Sequence, residues 1–317
     1  MDMIHVRLVI PPDLADETVA VLSADRCVFN LVSLPDAARH PDGTAVQCDI
    51  LAGAANETLG RLRGLAVEQR GSIVVEPVDM ALSGPAAEVE KQTLGARARA
   101  PIWEEVEARI HAEGTYRPSF YLYLAIAGII GSVGIITNSQ ILIVAAMIVG
   151  PEYGAITSIS LGLANHNSVR IRQGLLALLL GFTLAVVATF LFSLLVRGLG
   201  LQPTAFTLGI RPVSNLINTP NFFSFVVAVL AGVVGIVSLT QARTSALLGV
   251  FISVTTIPAA ADIGVSCAFS SFTEARGSLL QLLLNIAVLI VVGLATLTAQ
   301  PAIWRRISRR RSRAHER

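Results

Sequence analysis

AAMIVGPEYGAITSI, residues 145–159, lies inside a long apolar run and yet sets a proline beside a glutamate. Pro151 withholds a backbone N–H and interrupts a helix. Glu152 carries a charge that costs about 2.5–3.5 kcal/mol at the centre of a membrane helix on insertion scales. A simple anchor would use leucine at both places. Twelve residues separate Ser139 from Pro151, roughly 18 Å of helix rise, which sets the pair near the middle of a span.

Outward from this point the chain divides in two. Its 317 residues are 53% hydrophobic and only 15% charged, where a soluble domain has about a quarter charged. Residues 1–118 have ordinary soluble composition, while 119–303 hold the long apolar runs. Six candidate spans follow, at about 119–137, 139–163, 173–197, 221–241, 244–267 and 278–300. The tail 304–317 carries seven arginines directly after the last span. Basic tails also bind nucleic acid, but in this position the tail reads as a cytoplasmic topology anchor. With Arg170, Arg172 and Arg243 on the same side, both termini are expected in the cytoplasm. MDMIHVRLVIPPD has no apolar core of a signal peptide. Cys27, Cys48 and Cys267 show no metal or redox spacing and read as buried apolar side chains.

Residues 1–80 alternate in type. HVRLVI (5–10), CVFNLVSL (27–34), AVQCDILAG (45–53) and SIVVEPV (72–78) read as strands, and 12–25 and 54–68 as helices. The succession βαββαβ predicts a ferredoxin-like α+β domain, which by itself names no function. Residues 81–118 form a linker with an amphipathic helix whose apolar face holds Ile102, Trp103, Val106 and Ile110. That helix suits a membrane interface or packing on the soluble domain equally.

Shifted by 104 residues, the apolar region matches itself without a gap. AGIIGSV (127–133) overlays AGVVGIV (231–237), and RQGLLALLLG (172–181) overlays RGSLLQLLLN (276–285). Repeats of about 119–198 and 221–302 hold three spans each, an odd number, so the second copy is inverted. Inverted repeats place equivalent surfaces face to face at mid-membrane, where transport pathways form. Gly128, Gly131, Gly134, Gly232 and Gly235 give the first span of each half a small-residue packing face.

The counterpart of the opening stretch, GVFISVTTIPAAADIGVS (249–266), also carries a proline, Pro258, and an acid, Asp262. In this register Pro258 overlays Gly154 and Glu152 overlays Thr256. Both central spans are therefore expected to be broken, which a bilayer tolerates only where the freed backbone is buried in protein or lines a wet cavity. Gly150, Pro151, Glu152, Tyr153, Gly154, Thr255, Thr256, Pro258, Asp262 and Asn285 are the pathway candidates. Structural readings compete. Pro151 serves equally as a kink, Glu152 as a neutral partner of Thr255 or Asn285, and Asn285 as an interhelical hydrogen bond.

The pattern Ser139…Ala146-Met147-Ile148-x-x-Pro151-x-x-Gly154-x-Ile156, then SALLGVFISVTTIP (245–258) and LLLN ending at Asn285, resembles the bacterial membrane proteins of domain-of-unknown-function family 389. The resemblance covers about 120–300. Pro151, Gly154 and Pro258 match the family pattern, while Glu152, Tyr153 and Ala259 depart from it. The family implies no substrate.

These readings converge on a multi-pass helical protein of the bacterial inner membrane, a homo-oligomer, that moves a small solute or ion, with Glu152 a candidate for proton or cation coupling. The alternative is a non-transporting scaffold or signalling protein whose soluble domain senses a ligand. No Ser/His, Asp/Asp or metal set lies at membrane depth, and His166 reads as a loop residue. No enzymatic activity, cofactor, metal or nucleic-acid partner is expected; the lipid bilayer is.

Overall fold

The computed structural model describes residues 2–78, 80–94, 101–240, 250 and 255–315. The first half of the expected fifth span and residues 95–100 of the expected linker lie outside them. The chain forms two compact units, one of residues 1–106 with 302–317, the other of 107–301.

In the first unit β1 (Met3–Ile10), α1 (Pro12–Ser23), β2 (Val28–Arg39), β3 (Asp42–Leu51), α2 (Ala52–Gly64), the single turn α3 (Val67–Arg70) and β4 (Ser72–Val78) follow one another. The strands form one antiparallel sheet in the order β2-β3-β1-β4. Strand alternation sorts the faces. Val6, Leu8 and Ile10 of β1 and Val46, Cys48 and Ile50 of β3 are buried with Leu22 of α1 and Ala55, Leu59 and Leu62 of α2. The opposite face mixes exposed Val32, Leu34 and Val74 with polar pairs: His5 pairs with Asp49 at 2.7 Å, Asn30 donates to Asp49 at 2.6 Å, and Arg7 donates to Glu76 at 2.5 Å. β2 extends five residues beyond the run read as a strand from sequence, because register shifts near Phe29–Val32 and Leu34–Ala38 absorb Asn30 and Asp36, both at positive φ. A short helix, α4 (Gly84–Val89), leads into a π-turn at Glu90–Leu94, and α5 spans Trp103–Glu113.

The second unit contains α6 (Pro118–Ile136), α7 (Gln140–Val149), α8 (Glu152–Ala164), α9 (Ser168–Gly198), the short α10 (Thr204–Thr207) and α11 (Pro212–Ile217), α12 (Phe222–Thr240) and α13 (Thr256–Ala268). The last helix, α14 (Phe272–His315), starts in this unit. α6, α9, α12 and the Phe272–Gln300 part of α14 are long and apolar enough to cross a membrane. α7 and α8 pass the same test only together, bent by 49° at their junction, as a broken span or a re-entrant loop does. α13 is a shorter apolar helix. Lipid accounts for what water would not tolerate: Leu175, Leu179, Leu180, Leu191 and Leu195 of α9 and Phe222, Phe223 and Leu230 of α12 are all exposed.

Helix ends follow from local chemistry. Asn138, His166, Gly200 and Ser270 adopt positive φ after α6, α8, α9 and α13. Each lets the next N–H return to a carbonyl five residues back: Ser139 to Gly134, Asn167 to Gly162, Leu201 to Val196 and Ser271 to Ser266, at 2.7–3.1 Å. Ser139 and Asn167 then cap the helices that follow, accepting from Leu142 and Arg170.

Element bounds recur at the 104-residue offset. α6 at 118–136 corresponds to α12 at 222–240, α8 at 152–164 to α13 at 256–268, and the starts of α9 and α14 are 168 and 272. Contacts recur in exchanged form. Ser160 of α8 donates to the Ile290 carbonyl of α14 at 3.2 Å, while Gly264 of α13 lies against the Val186 carbonyl of α9. The first pair is 160 and 290, and the second pair, 264 and 186, is its counterpart with the halves swapped.

Candidate functional site

The break in the second span lies at Gly150 and Pro151. Gly150 ends α7 in extended backbone, and Pro151 is the residue before the first turn of α8. Glu152 is thus the first helical residue of α8, and Thr256, its 104-residue counterpart, is the first of α13. Their side chains meet. Thr256 Oγ1 donates to Glu152 Oε1 at 2.6 Å, a fully buried bond. Gly150 is required here, since a Cβ would run into Glu152 Oε2 and Ile257. Pro258 sits in the first turn of α13, where a missing N–H leaves no helical bond unmade. It lies in the first turn of a helix, and the residues through which the expected fifth span would run before Thr255, except Val250, lie outside the described ones.

Glu152 is only 7% exposed, and its Oε2 has no hydrogen-bond partner. Among the described residues no ion pair reaches it. Just before Thr256, Thr255 holds the N-cap position of α13 without a side-chain capping bond and gathers two amides from α14. Asn285 Nδ2 donates to Thr255 Oγ1 at 2.8 Å, and Gln281 Nε2 approaches the same oxygen at 3.4 Å and Asn285 Oδ1 at 3.2 Å. Gln281 Oε1 is buried without a partner. Gln281 and Asn285 are one turn apart, which puts both on one face of α14. Sequence reading named Asn285 and passed over Gln281; an amide four residues from another amide inside a leucine run was the available signal.

The remaining candidates separate into neighbours and strangers. The Tyr153 phenol lies against Gly235 of α12, where any side chain would collide with it. Gly154 offers its carbonyl to Thr157 at 3.0 Å, within α8. Gly128 packs on Ala185 and Thr189 of α9, Gly131 on Ala261 and Ala146, Gly134 on Ile143, and Gly232 on Val292 and Leu289. Asp262 does not join Glu152. It is fully buried, six residues further along α13 and so about 9 Å away in rise. Ser214 donates to its Oδ1 at 2.7 Å and Ser278 to its Oδ2 at 2.6 Å. These two serines had no sequence signal, because only the return of the 199–221 segment brings Ser214 there. Arg211 fastens the same segment, donating to Glu274 at 3.0 Å and Ser271 at 2.9 Å while its guanidinium covers the Phe206 ring at 4.2 Å.

The arrangement is therefore two polar clusters carried by adjacent residues at the start of α13, the bond of Thr256 to the Glu152 carboxylate and the contact of Thr255 with two amides of α14. Among the described residues the two clusters contain no nucleophile–base pair. The model of a domain of unknown function, DUF389, the family that the motifs resemble, matches residues 147–291, a stretch that includes Glu152, Thr255, Thr256, Gln281 and Asn285. No curated protein and no solved structure matches the chain.

Proposed function

We propose that this is a membrane transporter or channel-like protein for a small solute or ion, with its pathway at the gap where the second and fifth spans break. The membrane unit is then six spans in two inverted three-span repeats. The bond between Thr256 and Glu152 carries the reading. Residues 104 apart touch each other only where a two-fold axis relating the halves passes between them. The swapped pair of contacts, Ser160 with Ile290 and Gly264 with Val186, supports the same axis. Three spans per half put that axis in the membrane plane, and unpaired buried polar atoms on it fit a pathway better than a packing core.

The protein belongs, in this reading, to a bacterial inner membrane as a homo-oligomer with both termini cytoplasmic, and the ferredoxin-like domain regulates or assembles it. The test is full-length protein in liposomes, with uptake of a panel of ions and small solutes measured for the wild type and Glu152→Gln. Flux that the substitution alters supports the pathway; an inert membrane unit supports the scaffold reading. One observation favours that second reading: a cavity of about 430 Å³ in the first unit, between α1 and β2, lined by Pro12, Asp16, Val19, Ser33, Asp36 and Thr44, is of ligand size.

A further inference from the structure

We propose that the meeting point of α8 and α13 is a binding site for a small monovalent anion, which the Glu152 carboxylate fills in the anion's absence, and that one proton taken up by Glu152 accompanies each anion bound. This rests on the transport reading and names its substrate class and coupling.

The argument is one of charge. α8 and α13 each run thirteen residues, and the side chains of their first residues are hydrogen-bonded. A helix N-terminus carries about half a positive charge and a set of unused N–H donors. Two of them at one point supply about one positive charge, which one carboxylate balances. α6, α7, α8, α12, α13 and residues 277–300 of α14 contain no Lys, Arg or His. α9, which packs on α8 and α13, carries arginine only towards its ends, at Arg170, Arg172 and Arg197, the last donating to the Ala268 carbonyl at the far end of α13. Arg243 is in the stretch outside the described residues.

The polar lining points the same way. The Thr255 hydroxyl already accepts from Asn285 and Gln281, so its hydrogen is left to donate. The Thr256 hydroxyl donates to Glu152. The Thr256 hydroxyl and the starts of two helices thus meet a single anionic group, with the Thr255 hydroxyl one residue before, and that group is tethered by a flexible side chain.

Oε2 is the independent sign of a second occupant. It is buried, in a residue 93% enclosed, with no partner. A proton on Oε2 neutralises the carboxyl and leaves about one positive charge at the helix ends uncompensated, which a small anion then satisfies. Proton and anion enter and leave together, and the site stays neutral in both states.

The other titratable groups facing this point do not substitute for Glu152. Tyr153 is packed on Gly235 of α12, Asp262 of α13 is held by Ser214 and Ser278, and Cys267 ends α13. Tyr121 and Tyr123 are at the start of α6, Glu274 at the start of α14 is paired with Arg211, and Arg276 follows it. α7 and α12 offer none.

The test uses full-length protein in liposomes, with chloride and nitrate as probes and sodium and potassium as controls. Wild-type anion flux should rise as pH falls, by up to about tenfold per unit while a single proton limits it, and an inward proton gradient should concentrate the anion. Glu152→Gln should pass anions at a rate independent of pH and carry no protons with them. Sodium or potassium flux without anion flux overturns the anion assignment and leaves transport standing. Anion flux with unchanged pH dependence in Glu152→Gln overturns the coupling. If nothing moves, the transport reading fails, and binding decides the site. Purified Glu152→Gln should gain thermal stability with added chloride or nitrate at pH 8 where the wild type gains none; equal response of both proteins overturns it.

Discussion

The carboxylate of Asp262 accepts from two serine hydroxyls, whereas that of Glu152 accepts from one threonine and leaves an oxygen bare. Satisfaction of this kind decides what each acid does when removed. Asp262→Ala strands Ser214 and Ser278 in a fully buried place, and each orphaned group costs about 1–3 kcal/mol. Asp262→Asn keeps one acceptor, and its amide faces hydroxyls that can rotate to accept, so it should lose less. Glu152→Leu strands only the Thr256 hydroxyl, so with chloride present to take the place of the carboxylate its melting temperature should stay near that of the wild type. Thermal unfolding of the purified proteins checks the order: Asp262→Ala lowest, Glu152→Leu close to wild type. A destabilised Glu152→Leu together with a functionally silent Glu152→Gln would make Glu152 a structural partner and sink its role in a pathway. The sequence announced both acids with equal force, as charges in hydrocarbon. It did not separate them, because the serines that satisfy Asp262 come from a different loop and a different helix.

Helices are placed by their caps and breakers, and those are short-range signals. Pro151 and Ser139 delimit α7, Asn167 starts α9, and the observed bounds of α6 and α12 lie within one residue of the expected spans. The break in the second span was legible for the same reason. What the break meets was half legible: the 104-residue register already laid Glu152 over Thr256, but a glutamate over a threonine looked like a mismatch, and a residue on a symmetry axis need not match to be paired. Gln281 was passed over, although its spacing of four residues from Asn285 puts both amides on one helix face. Glycine positions on α12 give an element-scale test. Gly235→Val inserts a branched side chain where the Tyr153 ring already lies. Overpacking of this kind costs about 1–3 kcal/mol. Thermal unfolding should show that loss, and Gly235→Val with Tyr153→Phe should recover part of it, because the atom nearest the new Cβ is the phenol oxygen. In the first unit Cys48 gives a pH test. Burial pushes its thiol from 9.0 up to about 12. A raised value in the folded state means stability that is full below pH 9 and falls as pH climbs from there towards 12. A fragment of residues 1–80 should therefore unfold cooperatively at pH 7 and weaken across that alkaline window, and Cys48→Ala should flatten the fall. A disordered fragment at pH 7 would show that the sheet depends on the rest of the chain.

At the scale of the whole molecule, the distribution of arginine makes the sharpest commitment. Arg170, Arg172 and the seven arginines of 304–317 are assigned to the cytoplasm, and the segment 199–221 to the other side. The apolar helices fix that a bilayer is crossed but not how many times, since four helices qualify outright, a bent pair makes five, and the sixth turns on α13. Parity decides it. With six crossings the segment 199–221, after the third, and the tail, after the sixth, face opposite sides; with five they face the same side. The two positions to compare are Leu208, exposed in the 199–221 segment, and Arg313 in the tail. In a Cys267→Ala background the remaining Cys27 and Cys48 are buried and silent to thiol reagents. In intact cells an impermeant maleimide should label Leu208→Cys and spare Arg313→Cys until the membrane is opened. Labelling of both positions from outside means an even number of crossings between them. That result removes the inverted relation of the halves, and with it the two-fold axis on which Glu152 and Thr256 are proposed to meet.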